Sequence, residues 1–293
     1  REGKAFTYMG GPSGLSDSAE WTFQNNDSHA YLGHSVAGLG DINGDGFADV
    51  MVGASHWGSY DYGRAYLFLG TADGLTPSPS WDTTGDSSNP RRGYRVAGIG
   101  DINADGFNDF AVGWDGYSGS RGRVEVYLGG VSSSGVHTSY SNHNGDSGSD
   151  HAGRSITTAG DVNGDGFTDL IYGIPYHDHG ASDAGRVILR YGGPSGGIGS
   201  SAKANVHPTD EADADFGRAV TQVGDINGDG YHDIAVGAPG ADAGGTDRGK
   251  VFIYLGEPDG IEASPSTTLS GTINNEAFGQ SVTGGWDVNG DGY

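Results

Sequence analysis

Asp41-Ile-Asn-Gly-Asp-Gly-Phe-Ala-Asp49 decides the reading of this chain, because it returns four more times. The copies are Asp101–Asp109 (DINADGFND), Asp161–Asp169 (DVNGDGFTD), Asp225–Asp233 (DINGDGYHD) and Asp287–Tyr293 (DVNGDGY). Their first aspartates lie 60, 60, 64 and 62 residues apart. Self-similarity at a fixed period marks a repeat architecture, in which each unit buries its apolar face against the next. Within each copy, side-chain oxygens recur at alternate positions, which is the pattern of a calcium loop.

Calcium is a hard cation that takes roughly six to eight oxygen ligands in a flexible shell. Positions 1, 3 and 5 supply side-chain oxygens: Asp41, Asn43 and Asp45; Asp101, Asn103 and Asp105; Asp161, Asn163 and Asp165; Asp225, Asn227 and Asp229; Asp287, Asn289 and Asp291. Glycine at position 6 permits the sharp turn around the ion. Position 7 offers a backbone carbonyl, from Phe47, Phe107, Phe167, Tyr231 and Tyr293. Position 9 returns a last carboxylate: Asp49, Asp109, Asp169 and Asp233. The fifth copy stops before that residue, so four complete calcium sites and a truncated fifth are expected. The first six positions match the start of an EF-hand loop, but no glutamate closes the loop at position 12 and no helices flank it. A dockerin-like reading fails likewise, because its period is much shorter. A metal-free Asp/Asn/Gly turn would not need several carboxylates facing one another.

The residues after each loop are VMVG (50–53), FAVG (110–113), LIYG (170–173) and IAVG (234–237). Short apolar runs rich in β-branched residues and bounded by glycine read as buried strands. A glycine-led strand precedes each loop, at 33–37, 93–97, 153–157, 217–220 and 279–282. A third strand follows a variable polar loop: GRAYLFLG (63–70), GRVEVYLG (122–129), GRVILRYG (185–192) and GKVFIYLG (249–256). A turn such as DGL (73–75) then leads to a weaker fourth strand, for example SWD (80–82). Four antiparallel strands per repeat, without a helix signal, describe one blade of an all-β propeller. A β-solenoid would use shorter coils and lacks the hairpin turns. The blades are placed at about 1–28 (partial), 29–88, 89–148, 149–212, 213–273 and 274–293 (partial), all within one propeller domain.

Phe216-Gly217 and Phe278-Gly279 near the first strand, the DxNxDGxxD loop, and Gly237-Ala238-Pro239 after the second strand resemble FG-GAP repeats. These form the propellers of integrin α subunits and of many bacterial relatives. The resemblance covers the whole chain but is uneven. Leu32, Arg92 and Ala152 stand at the phenylalanine position, and Gly113-Trp114-Asp115 stands at one Gly-Ala-Pro position. Ala104 replaces the position-4 glycine of the second loop. The resemblance implies a seven-bladed ring, of which about five repeats are visible here. Residues 3–10 (GKAFTYMG) match 249–256, so the chain opens on a third strand, and 281–285 are expected to form a first strand. These ends suggest a slice of a longer chain, with ring closure or strand donation between molecules as the other readings.

Composition agrees. The formal charge is −23, from 38 acidic and 15 basic residues, and loop aspartates make up 14 of the 38. Five bound Ca²⁺ would bring −23 to about −13. No basic stripe suggests nucleic acid, and no apolar run is long enough to span a membrane. There is no cysteine, so calcium takes the place of disulfides as the staple. Calcium modules of low affinity fill outside cells, which favours an extracellular or cell-surface location.

No serine, histidine or carboxylate constellation stands out as catalytic, so the chain reads as a binding protein rather than an enzyme. In each blade the 1–2 loop carries the calcium site, and the 2–3 loop lies on the opposite face. The 2–3 loops hold Trp57, Tyr60 and Tyr62, then Trp114 and Tyr117, then Tyr176 and His177. Aromatic side chains on rigidly mounted loops are the usual material of recognition. A protein or glycan ligand is expected on that face, although the same rings could instead pad the junctions between blades. The resemblance implies an adhesion or recognition module. A carbohydrate-binding or polysaccharide-degrading propeller and a self-assembling surface protein are the alternatives.

Overall fold

The computed structural model describes residues 2–12, 14–86, 90–132, 136–194, 198, 204–207 and 211–285. Four four-stranded antiparallel sheets follow one another along the chain, each a simple meander. The first joins Leu32–Gly40, Asp49–Ala54, Arg64–Phe68 and Trp81–Thr84. The second joins Arg92–Gly100, Asp109–Trp114, Arg123–Gly129 and Val136–Asn144. The third joins Ser155–Gly160, Asp169–Ile174, Arg186–Arg190 and Ala204–Val206. The fourth joins Ala219–Gly224, Asp233–Ala238, Lys250–Tyr254 and Thr267–Ser270. Before them, Ala5–Thr7 pairs with Trp21–Phe23, as a third and a fourth strand do in the later blades. These are propeller blades, and the fold is all-β. One four-residue turn, Tyr117–Ser120, has helical hydrogen bonding.

The strands differ in burial as their composition requires. Asp109–Trp114, Asp169–Ile174 and Asp233–Ala238 are buried at every residue. A strand covered on both faces reads as an unbroken apolar run rather than an alternating one. The outermost strand Thr267–Ser270 is exposed throughout and carries polar residues. The core lies between neighbouring blades: Val187, Leu189 and Val206 of the third pack with Phe216, Val236 and Phe252 of the fourth. Burying a side chain such as Phe216 contributes ~1.5–3 kcal/mol.

Two kinds of contact set the blade-to-blade distance. A Cβ added to Gly173 would stand 1.9 Å from the carbonyl oxygen of Gly217 in the next blade, and one added to Gly237 would stand 2.0 Å from that of Gly279. Only glycine lets the two backbones approach this closely. A short ladder then crosses each junction, where Leu32, Arg92, Ala152, Phe216 and Phe278 donate N–H to the carbonyls of Glu2, Tyr62, Arg121, Ala184 and Arg248 at 3.0–3.2 Å. Residue 281 onward behaves differently from expectation, since the described residues up to Gly285 form no strand. No strand pairs with them among the described residues.

Candidate metal centres

All four described loops share the bonds from the amides at positions 5 and 6 to the first aspartate, while the bond from the position-4 amide is present in the first and fourth loops. In the first, Asp41 Oδ1 accepts from the amides of Gly44 (2.7 Å) and Asp45 (3.2 Å), and Oδ2 accepts from Gly46 (2.8 Å). Asn43 Oδ1 accepts from the Asp45 amide at 3.0 Å, its Nδ2 donates to Asp45 Oδ2 at 2.9 Å, and Asp45 Oδ1 accepts from the Phe47 amide at 2.9 Å. The loop at Asp225 repeats the pattern, with Gly228, Asp229 and Gly230 donating to Asp225 at 2.8, 3.1 and 2.8 Å. The slight burial of Asp41 pushes its carboxyl up, and the amides of Gly46, Gly44, Asp45 and Asn43 outweigh this and hold it below the ordinary aspartate value.

Position 9 is different. Asp49, Asp109, Asp169 and Asp233 are fully buried. Each clasps two separate pieces of chain. Asp49 accepts from the amides of Ile42 (2.9 Å) and Gly70 (2.8 Å), and Asp109 accepts from those of Ile102 (2.9 Å) and Gly129 (2.8 Å). Asp169 accepts from Val162 (3.0 Å) and Gly192 (2.9 Å), and Asp233 from Ile226 (2.8 Å) and Gly256 (2.8 Å). The last carboxylate of each loop therefore ties the loop to the end of the third strand, a role the local pattern did not reveal. Burial, against the pull of those amides and with a smaller push from the loop carboxylates at positions 5 and 1, brings Asp109 and Asp169 up to about 7.

That mutual repulsion is the test of fit for a cation. Each loop offers only hard oxygen donors, namely carboxylates, a carboxamide and a backbone carbonyl, and these suit calcium. Among the described residues, no three His, Asp or Glu side chains are gathered closely enough to hold a metal ion by themselves. A cation at one of these loops would have to take the carboxamide at position 3 and the carbonyl at position 7 into its donor set. The residues that could hold calcium are Asp41, Asn43, Asp45, Phe47 and Asp49 and their counterparts in the next three loops. Asp287, Asn289, Asp291 and Tyr293 lie outside the described residues.

On the opposite face the aromatic residues divide. Tyr60 is 63% exposed and meets Tyr62 edge-on at 5.8 Å. Trp57 is half-buried beneath the Arg64 guanidinium, 4.7 Å from its ring centre. Trp114 is only 2% exposed, which corrects the expectation that it lines a recognition surface. Arg92 covers its ring at 4.0 Å and Arg123 stands at 5.5 Å, so it fills a blade junction. Tyr117 is half-buried under Arg123 at 3.6 Å. Tyr176 accepts a hydrogen bond from Arg218 at 2.8 Å and flanks Arg154 at 5.2 Å, and His177 faces Asp150 at 3.5 Å.

Sequence reasoning missed Asp115 altogether. This fully buried carboxylate receives His151 Nδ1 at 2.8 Å, Arg91 at 3.1 Å and Arg154 at 3.4 Å. Its burial pushes the carboxyl up, but the histidine and the two arginines outweigh this and hold it below the usual range. The signal was Asp115 itself, standing where the third and fourth repeats have Pro175 and Pro239. No described helix is long and apolar enough to cross a membrane.

The family model for the FG-GAP repeat matches residues 32–68, 152–189 and 216–254. The matched stretches omit the second blade, which carries Arg92, Trp114-Asp115 and Glu125. Integrin alpha-V of Gallus gallus is 37% identical over 207 residues, 69% of this chain and 19% of the relative. Integrin alpha-PS2 of Drosophila melanogaster is 38% identical over 109 residues, 33% of this chain and 8% of the relative. Integrin alpha-IIb of Homo sapiens is 41% identical over 110 residues, 34% of this chain and 10% of the relative. The matched stretches thus span less than a fifth of these relatives' own length.

Proposed function

We propose that this chain, an FG-GAP repeat protein with repeats similar to those of integrin α subunits, is a calcium-stabilised, non-catalytic recognition propeller that works outside the cell or at its surface. The observation that carries this reading is the contrast between the two ends of the blades. At one end the same carboxylate loop returns four times with the same hydrogen bonds. At the other end the connections differ from blade to blade, with Tyr60 exposed in one and Asp115 buried in another.

Calcium, when bound, supplies positive charge that offsets the crowding of carboxylates between strands one and two. The chain's own residues do the rest. Positions 1, 3 and 5 would supply side-chain oxygens and position 7 its carbonyl, and position 9 anchors the loop to the third strand. A rigid end of this kind leaves the opposite face free to vary, which is the arrangement that loop-borne recognition uses. The occupant is a protein or glycan ligand.

The test is a binding experiment on the immobilised chain in calcium and in EGTA. Calcium-dependent attachment of cells or of a purified surface protein is the expected result. Cleavage of polysaccharide by the purified chain would overturn the non-catalytic reading. Binding on a glycan array, without cleavage, would place the ligand among carbohydrates.

A further inference from the structure

We infer that the cation loops of successive blades are coupled, because the position-8 residue of each loop holds the first-ligand residue of the loop before it, so that filling one loop raises the affinity of its neighbour. The inference rests on the reading of the loops as calcium sites.

Three junctions show the same contact. The Asn108 amide donates to the Asp41 carbonyl at 3.1 Å, Thr168 to Asp101 at 3.4 Å, and His232 to Asp161 at 3.0 Å. Each donor lies between the position-7 carbonyl and the position-9 carboxylate of its own loop. Each acceptor belongs to the first ligand of the preceding loop. His232 adds a second bond, because its Nδ1 accepts from the Asp161 amide at 3.2 Å. Both polar backbone groups of Asp161 are thus held by one residue of the next blade.

Two further contacts reinforce the link. A Cβ on Gly44 would lie 2.6 Å from the Phe107 ring, and one on Gly164 would lie 2.6 Å from the Tyr231 ring. The position-7 ring of one loop therefore rests on the position-4 turn of the loop before. A backbone strap runs alongside, from the amides of Gly130, Gly193 and Glu257 to the carbonyls of Ile42, Ile102 and Val162 at 2.7, 2.9 and 3.1 Å. A loop ordered by its own cation presents these groups already fixed. The ordering that the neighbour's cation must impose is then smaller, which is positive coupling without any change of fold. By linkage the effect runs in both directions.

The experiment is calorimetric calcium titration of the whole, EGTA-stripped chain. Asp229→Ala removes a ligand from the loop at 225–233, and His232→Ala removes the side-chain half of the clamp on Asp161, the bond from its amide to Nδ1, while leaving the backbone bond and every ligand in place. Coupling predicts that Asp229→Ala loses one bound calcium and weakens a second by about five-fold or more. It predicts that His232→Ala keeps the stoichiometry and weakens one site, and that His232→Asn, whose Oδ1 can accept from the same amide, restores it. Asp105→Ala gives the same comparison for the loop at 41–49, should Asp229→Ala fail to fold. Loss of one calcium with the remaining affinities unchanged, together with a His232→Ala titration like that of the parent, overturns the coupling alone. A parent chain that binds no calcium at millimolar concentration overturns the calcium reading, and the coupling falls with it.

Discussion

Arg92 donates to Glu125 in the second blade at the two repeat positions where, in the fourth, Phe216 packs on Phe252 with ring centres 5.4 Å apart. An ion pair has replaced an aromatic pair inside an otherwise repeated core. The pair is 9% and 5% exposed and is completed by Tyr127, whose hydroxyl donates to Glu125 at 2.7 Å. Arg92 then reaches over Trp114, which explains why that ring is covered.

Breaking such a pair leaves a buried charge without a partner, at a cost of ~3–5 kcal/mol, whereas replacing both members by well-packed apolar residues is often neutral or stabilising. Glu125→Ala should destabilise the chain by about that much, and Arg92→Ala by less, because Arg123 still stands 3.6 Å from Glu125. The double replacement Arg92→Phe with Glu125→Phe should recover most of the loss. The hydroxyl of Tyr127 loses its acceptor in the double variant, but Tyr254 has no hydrogen-bond partner at the same position of the fourth blade. Urea unfolding of the three variants checks this. A double variant as unstable as the singles would show that the second blade cannot accept the aromatic pair.

Calcium removal should lower the melting temperature. At millimolar calcium and the affinities usual for extracellular modules, each filled loop adds about 1 kcal/mol to stability by mass action. Asp165→Ala should forfeit that share from its own loop and, through the coupling between neighbouring loops, part of the share of the loops beside it, while every ligand of those loops stays in place. Melting curves with calcium and with EGTA, and metal analysis of the dialysed protein, are the measurements. Equal melting temperatures at neutral pH would sink the idea.

The rings of the opposite face should separate by role. Tyr60→Ala and Tyr62→Ala should weaken ligand binding with calcium content and melting temperature unchanged, because Tyr60 is exposed and Tyr62 leans on it. Trp114→Ala should instead lower stability by ~3–5 kcal/mol, as loss of a large buried ring does. Binding and unfolding measured on the same samples decide it. Loss of binding for Trp114→Ala at full stability would return that ring to the recognition surface.

The legible part of this molecule was the part that repeats locally. The carboxylate loops and the apolar second strands are short and contiguous, so their chemistry and their periodicity stand together in the sequence. The illegible part depended on partners distant in the chain. Trp114 looked exposed because its cover, Arg92, comes from the start of the first strand. Asp49 looked like a ligand only, because one of its two amides belongs to Gly70, beyond the next strand. Residues 281–285 carried a first-strand pattern, yet they form no strand in the structure.

Asp215 supplies the pH prediction. Burial pushes its carboxyl up to about 6; Arg218 and Arg154 oppose the shift, and Asp183 and Asp213 add to it. The native state therefore holds a proton, between about pH 4 and pH 6, that the unfolded chain has already released. In that window the native state binds more protons, so stability falls as pH rises and the full cost is present above about pH 6. Asp215→Asn removes the charge, so the variant should melt higher than the parent at pH 7.5. The advantage should shrink as pH falls through 6 and the charge-dependent part should vanish below about 4. Asparagine also tolerates the left-handed backbone of this residue, where φ is 55°, and that smaller gain is independent of pH. Every other residue is common to both proteins, so the difference between the two melting curves, taken at constant calcium, isolates residue 215. A difference that stays constant from pH 4 to pH 7.5 would assign the gain to backbone conformation alone. A variant less stable than the parent at pH 7.5 would mean that the attraction of the Arg218 and Arg154 charges outweighs the cost of burial.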